Sequence, residues 1–348
     1  MKRAVVIGAG GQIGSDLCPA LYAEGVEVRL VDHLRPEMVN GHDTLAAGFG
    51  GESRWKGEWW LAADASDRGA IRRLIREFRP DAVFHLVALL SATGERNPAW
   101  AWHVNMGSLN VIIDVLLSLQ GDDPSYRPVL VWPSSIAAYG VPVSGYPVDK
   151  VCEDYPMQPR TMYGATKLAG EALGTYYAQP SLARNAVRPT LDFRCLRFPG
   201  LLSATPPGGG SSDYANQIYF KAAGHAIPSI FVARETRMPF MHMRDAIASL
   251  LALARSKESE LSRRIYNVRA FAPTVDGFVA SVRRLQPRFD VKSAPDFRQA
   301  IVDSWPRDMD DTAARQDWGF DPGYDLDRTT DDLIPAIAKH YPPAAGKE

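Results

Sequence analysis

One feature at the start of the chain limits its possible folds more than any other. The apolar run Arg3–Gly8 leads without a spacer into Gly8-Ala9-Gly10-Gly11-Gln12-Ile13-Gly14, and an amphipathic stretch follows to about Glu24. This pattern is a strand that turns into a helix through glycines spaced three apart. Gly8 permits the tight turn, Gly11 lets backbone approach a pyrophosphate, and Gly14 permits close helix–strand packing. The helix start offers unpaired N–H groups and a positive dipole end, which suit an anion. Gln12 and Ile13 complete the set of turn residues expected to face such a ligand.

The rest of the first half repeats the alternation. Short apolar runs at Val26–Val31, Trp59–Ala63, Ala82–Ala88, Val129–Pro133 and Leu191–Phe198 read as buried parallel strands. Amphipathic stretches at Arg68–Phe78, Trp100–Leu119 and Tyr163–Tyr177 read as crossover helices. The implied fold is α/β: a Rossmann-type doubly wound parallel sheet with a smaller α/β C-terminal lobe. The expected division is a dinucleotide domain at 1–200 plus about 241–256, the latter returning to the sheet. A substrate lobe is expected at 201–240 and 257–341, and a frayed tail at 342–348. Gly41–Glu58, with Trp55, Trp59 and Trp60 at or beside it, reads as a long loop or insertion, as does Ala178–Thr190.

At 348 residues and a formal net charge of −1, the chain has ample core but no charge excess for nucleic acid or an anionic membrane surface. Cys18, Cys152 and Cys195 are scattered, odd in number and match no zinc spacing, so no metal is expected and the thiols read as reduced. No apolar stretch reads as a membrane span, and the expected location is cytoplasmic.

Asp32 ends the second strand, where a carboxylate would accept the adenosine ribose hydroxyls and repel a 2′-phosphate. His33 rather than Arg follows it, which favours NAD, while Arg35 leaves NADP open. Asp64 ends the third strand and either faces the adenine or caps the next helix. Tyr163 and Lys167 are four residues apart and share a helix face. A neighbouring ammonium favours the phenolate, which could then accept a proton from an alcohol. The strand ending Pro133-Ser134-Ser135 could supply a hydroxyl to the reacting oxygen.

These residues resemble the extended short-chain dehydrogenase/reductases. Within that family, His85–Ala92, Trp132–Ala137, Pro159–Gly164, Asp192–Gly200, Pro206–Ala215, Thr236–Pro239 and Ala294–Pro306 resemble the short-chain type of L-threonine 3-dehydrogenase. The likeness runs from about Met1 to Leu333, with Ile7 standing where the family usually has Thr. It implies oxidation of the L-threonine 3-hydroxyl to 2-amino-3-oxobutyrate, with NAD as cofactor. Tyr163 would be the base, Lys167 would lower the phenol pKa and hold the ribose, and Ser135 would orient the alcohol. It also implies Leu86, Ala88 and Asn105 at the cofactor, and Ser91, Gly208, Ser211 and Asp213 at the substrate. Ser211 and Asp213 also suit a plain helix cap. Arg160 and Arg237 suit either a substrate carboxylate or structural ion pairs. Trp100–Leu119 and Tyr163–Tyr177 would pair across a homodimer. The alternatives are a nucleotide-sugar epimerase or reductase, or another β-hydroxy acid dehydrogenase.

Overall fold

A computed structural model describes residues 1–39, 41–50, 53–144, 149–180, 190–206 and 208–342. The strands are β1 (Arg3–Ile7), β2 (Glu27–Asp32), β3 (Trp60–Ala62), β4 (Ala82–His85), β5 (Val129–Ser135), β6 (Asp192–Phe198), β7 (Gly200–Leu202), β8 (Phe240–His242) and β9 (Ile265–Asn267). The first-half helices are α1 (Gln12–Ala23), α2 (His42–Gly48), α3 (Arg68–Phe78), α4 (Ser91–Arg96), α5 (Pro98–Asp122) and α6 (Met162–Ala178). The second half adds α7 (Asp213–Ala222), α8 (Met243–Arg255), α9 (Val275–Arg283), α10 (Phe297–Asp303), α11 (Thr312–Trp318) and α12 (Leu326–His340).

Among the described residues the main sheet has seven strands in the order β3-β2-β1-β4-β5-β6-β9, and every pairing is parallel. The order turns back at β1 and β4, and a crevice opens beyond the strands' carboxyl ends there. Alternate residues of β1 explain the two-sided burial. Val5 and Ile7 join a core with α3 and α5, while Ala4 and Val6 join a core with α1 and α8.

Local signals place the helices that matter for the site. Asp67 caps α3 through Ala70 N–H at 3.0 Å, Asn97 caps α5 through Trp100 N–H at 3.1 Å, and Thr161 caps α6 through Gly164 N–H at 3.0 Å. The last cap starts α6 one residue before Tyr163. The smaller lobe has its own core, where Phe240 meets Phe278 edge to face with ring centroids 5.0 Å apart.

The structure departs from the sequence reading in three places. The return of 241–256 is made by α8, which packs on α1, β5 and β6, while β8 itself does not join the main sheet but pairs with β7 in a separate two-stranded sheet. Conversely β9, inside the stretch expected to be wholly substrate lobe, pairs with β6 in the main sheet. Three residues are too few for an apolar periodicity to show. Finally, α5 is long and apolar enough by composition to cross a membrane, with 56% of its most apolar stretch buried in the fold.

The described part of the first insertion carries α2 and packs on the cofactor half. Phe49 and Trp55 stack with centroids 5.8 Å apart beside Trp59, and Gly48 packs against the ring of Pro19 on α1. Its Thr44 hydroxyl also meets that of Thr205, at the entry to the substrate loop, 3.1 Å away. Most of the second insertion and of the tail lies outside the described residues.

Candidate active site

Gly8 takes φ +89°, a left-handed conformation that glycine adopts freely. A Cβ on Gly14 would lie 2.3 Å from the Gly8 carbonyl oxygen, so helix and turn touch without room for a side chain. No side chain caps α1 at Gly11, and its first-turn N–H groups are left for a ligand. The buried Gln12 Nε2 also lacks a partner there. Asp32 is buried at the end of β2. One of its oxygens accepts Gly10 N–H at 3.0 Å and the other Leu34 N–H at 3.2 Å. A cavity of about 400 Å³ runs from this cradle past Leu86, Ala88 and Ser135 to the substrate loop.

A second cavity of about 200 Å³ opens between β2, β3 and α5, lined by Asp32, Asp64, Trp100 and His103. Asp64 does not cap α3, since Asp67 does. It accepts the Ser66 backbone N–H at 2.7 Å and the Ser66 hydroxyl at 2.6 Å, bonds that hold its carboxyl below the usual range. Asn105 lines neither cavity. Its amide grips both backbone groups of Leu89, at 2.7 and 3.2 Å, and donates to Thr166 at 3.0 Å. It positions the loop after β4 instead of reaching into either cavity.

Tyr163, Lys167 and Ser135 converge on the wall of the larger cavity. The Tyr163 phenol and the Ser135 hydroxyl stand side by side on that wall, and Ser135 Oγ accepts Ala137 N–H at 3.2 Å. Lys167 is buried and donates to the Pro133 carbonyl at 2.6 Å, with its ammonium 4.5 Å from the Trp132 ring centroid and 5.5 Å from that of Tyr163. Burial pushes the Tyr163 phenol up to about 12, and the neighbouring Ser135 hydroxyl only partly opposes it. Burial lowers Lys167 to about 8. The expected lowering of the phenol by Lys167 is therefore not met in the protein alone: desolvation wins. Ser134 points away and donates to Glu171 at 2.5 Å.

On the substrate side, Gly208, Gly210, Ser212 and Asp213 line the cavity with Ser91. Asp213 does not act as the helix cap; that position is Ser212, which makes no side-chain cap bond. One Asp213 oxygen accepts Gly209 N–H at 2.8 Å and Gly210 N–H at 2.7 Å, which folds the loop back on itself. Burial raises this carboxyl to about 6. Ser211 is fully buried behind the wall and exchanges bonds with Ser91 at 3.0 Å. Neither Arg160 nor Arg237 is among the lining residues, and Arg237 donates to the Ala272 carbonyl at 2.9 Å. The sequence reading missed Met238 and Trp305, both of which line the cavity. Trp305 brings a buried indole N–H without a partner. Both sit in segments quoted above only for their resemblance, and nothing in their local pattern marks them as pocket residues.

The NAD dependent epimerase/dehydratase family matches residues 4–268. An uncharacterized epimerase/dehydratase of Staphylococcus saprophyticus is 35% identical over 343 residues, covering 97% of each chain. The L-threonine dehydrogenase of Clostridium difficile has a TM-score of 0.83 at 31% identity, covering 97% of this chain and 98% of its own. That of Phytophthora infestans has a TM-score of 0.82 at 32% identity, covering 97% and 99%. The uncapped helix start, the glycine contact and the acid closing β2 fit NAD(H), the cofactor named for the matching family. From family match and whole-chain likeness together, this chain belongs to the NAD-dependent epimerase/dehydratase family of extended short-chain dehydrogenase/reductases and is an NAD-dependent oxidoreductase.

Proposed function

We propose that the chain is an L-threonine 3-dehydrogenase, which converts L-threonine and NAD to 2-amino-3-oxobutyrate, NADH and a proton. One observation carries the reading. Tyr163, Ser135 and Lys167 face, across a single cavity, the short loop that ends in Asp213. That space suits a small zwitterion with a secondary alcohol. Bound NAD supplies the hydride acceptor and a positive charge beside the phenol. Tyr163 accepts the hydroxyl proton, Ser135 holds the alcohol oxygen, and Lys167 holds the nicotinamide ribose from its place on the Pro133 carbonyl. Asp213 faces the ammonium, and the free Trp305 N–H is a donor for the carboxylate. Gly8, Gly11 and Gly14 hold the pyrophosphate, Asp32 the adenosine ribose, and Asp64 the adenine edge. A cytoplasmic homodimer built on α5 and α6 belongs to the same reading. It is supported by the exposed Trp100, Trp102 and Tyr176 on those helices.

The test mixes purified protein with NAD and each candidate substrate and follows NADH absorbance. Turnover with L-threonine, and none with D-threonine or UDP-sugars, is expected. Turnover confined to a sugar nucleotide would replace this reading with the epimerase/reductase one, and NADH from a different β-hydroxy acid alone would replace the substrate.

A further inference from the structure

A buried charged network lies directly behind Tyr163 and Lys167, and the steps above do not use it. Glu171 sits on α6 one turn after Lys167 and two turns after Tyr163, on the same side of the helix. Its carboxylate is buried. One oxygen accepts the Ser134 hydroxyl at 2.5 Å and Arg197 Nε at 2.8 Å, and the other accepts Arg197 Nη2 at 2.8 Å. The fork is bidentate, the strongest form of this pair. Arg197 Nη1 donates onward to the Tyr139 hydroxyl at 2.9 Å and the Glu153 carbonyl at 2.8 Å, and Tyr139 donates to Asn267 at 2.7 Å. The network thus ties together α6, β5, β6 and β9.

Stability alone accounts poorly for such a pair. Desolvating two full charges cancels most or all of their attraction, and apolar replacements of similar shape are often neutral. The position of the network is more telling. Lys167 holds the carbonyl of Pro133, the residue just before the Ser134 that Glu171 grips. The titratable groups facing Lys167 are Tyr163 and Glu171 from α6, His85 from β4 and Cys195 from β6, with Arg197 paired to Glu171 behind them. Burial keeps His85 and Cys195 neutral near pH 7, the first by lowering its pKa to about 3 and the second by raising its thiol. Desolvation dominates at Lys167, and Cys195 and then Glu171 oppose it; with the Cys195 thiol neutral, the Glu171 carboxylate, forked with Arg197, is the remaining anionic partner.

We propose that Glu171, clamped by Arg197 and Ser134, is a positioning residue that keeps Lys167 cationic and holds the Ser134–Ser135 strand end in line with Tyr163. The proposal rests on the roles given above to Tyr163 and Lys167, so its test reads Lys167 directly as well as turnover. Protein labelled with ¹³C at lysine Cε is titrated by NMR, with Lys167→Met to assign the signal, and kcat is measured against pH in the same variants. In Glu171→Gln the Lys167 midpoint should fall by about one pH unit or more. The alkaline limb of kcat should fall with it, and Glu171→Asp should restore both. If Glu171→Gln does not fold, the double variant Glu171→Gln/Arg197→Met leaves neither charge stranded and should also show a lowered midpoint. A midpoint that moves while the kcat limb stays fixed supports the Glu171 placement and overturns the Tyr163–Lys167 reading instead. An unchanged Lys167 midpoint in either folded variant, even with a lower Tm, overturns the proposal.

Discussion

The two ends of the main cavity are built in different ways. At the cofactor end, Gly8 follows directly on β1 and Asp32 closes β2, both buried parallel strands. At the substrate end, Ser91, Gly208–Asp213, Met238 and Trp305 come from loops and helix starts. The strand residues are fixed by ladders that run through the whole sheet. The loop residues are fixed by single side-chain contacts: Asp213 on the Gly209 and Gly210 amides, Ser91 on Ser211. A ladder tolerates loss of one bond, whereas a loop held by one carboxylate does not. The first design suits a cofactor shared by many enzymes, and the second lets the substrate wall change without disturbing the sheet.

Four changes would break or sharpen that contrast. The largest effect is expected for Tyr163→Phe, at the seam of the two ends. It should cost on the order of 10³-fold in kcat and leave NAD affinity unchanged by calorimetry; a fully active variant would remove Tyr163 as the base. Next is Gly14→Val, where a Cβ would meet the Gly8 carbonyl oxygen at 2.3 Å. Overpacking there should cost about 3 kcal/mol in urea unfolding and weaken NAD binding with it. Third, Asp32→Ala should weaken NAD about 10- to 30-fold, in keeping with loss of hydrogen bonds from a charged group. It should shift the NAD:NADP ratio toward NADP, and an unchanged ratio would take Asp32 off the ribose.

The smallest effect lies on the substrate wall and depends on pH. Burial raises the Asp213 carboxyl from 3.8 to about 6, so folding favours its neutral form. Its contribution to stability is complete below 3.8 and is lost as pH rises through about 6. Binding an ammonium needs the ionised form and runs the other way. The KM for L-threonine should rise as pH falls below about 6, by up to about tenfold per unit, and Asp213→Asn should show a high KM that no longer varies there. A parallel fall in kcat alone would assign Asp213 to the chemistry, not to binding.

The same contrast governs what could be read before the structure. The sheet half was legible because a buried parallel strand needs a short apolar run, and each run stood between amphipathic helices. Asp32 is flagged by its place at a strand end, and Tyr163 and Lys167 by their spacing together with the preceding strand that ends in Ser134-Ser135. Trp305 and Met238 do not, because a loop residue reaches the cavity only through tertiary packing. The resemblance implies Asn105 at the cofactor, yet its amide is spent on Leu89 and Thr166. Ser211 shows the same limit: one residue's rotation puts Ser212 on the wall and Ser211 behind it. Spacing places the Lys167 ammonium beside Tyr163 but does not show the burial that raises the Tyr163 phenol in the protein alone.

The position of β9 has a consequence for synthesis. The outermost strand of the main sheet is drawn from residues 265–267, after both strands of the small sheet and α8 have been made. A ribosome that has released residues up to Gly200 has made six of the seven strands, and the outer edge of β6 is still unpaired. That edge carries Arg197 without Asn267, the acceptor at the far end of its network. A dinucleotide half cut at Gly200 would leave the β6 edge, and Arg197 on it, unpaired. The nascent chain must wait for more than sixty further residues before its own first half is complete.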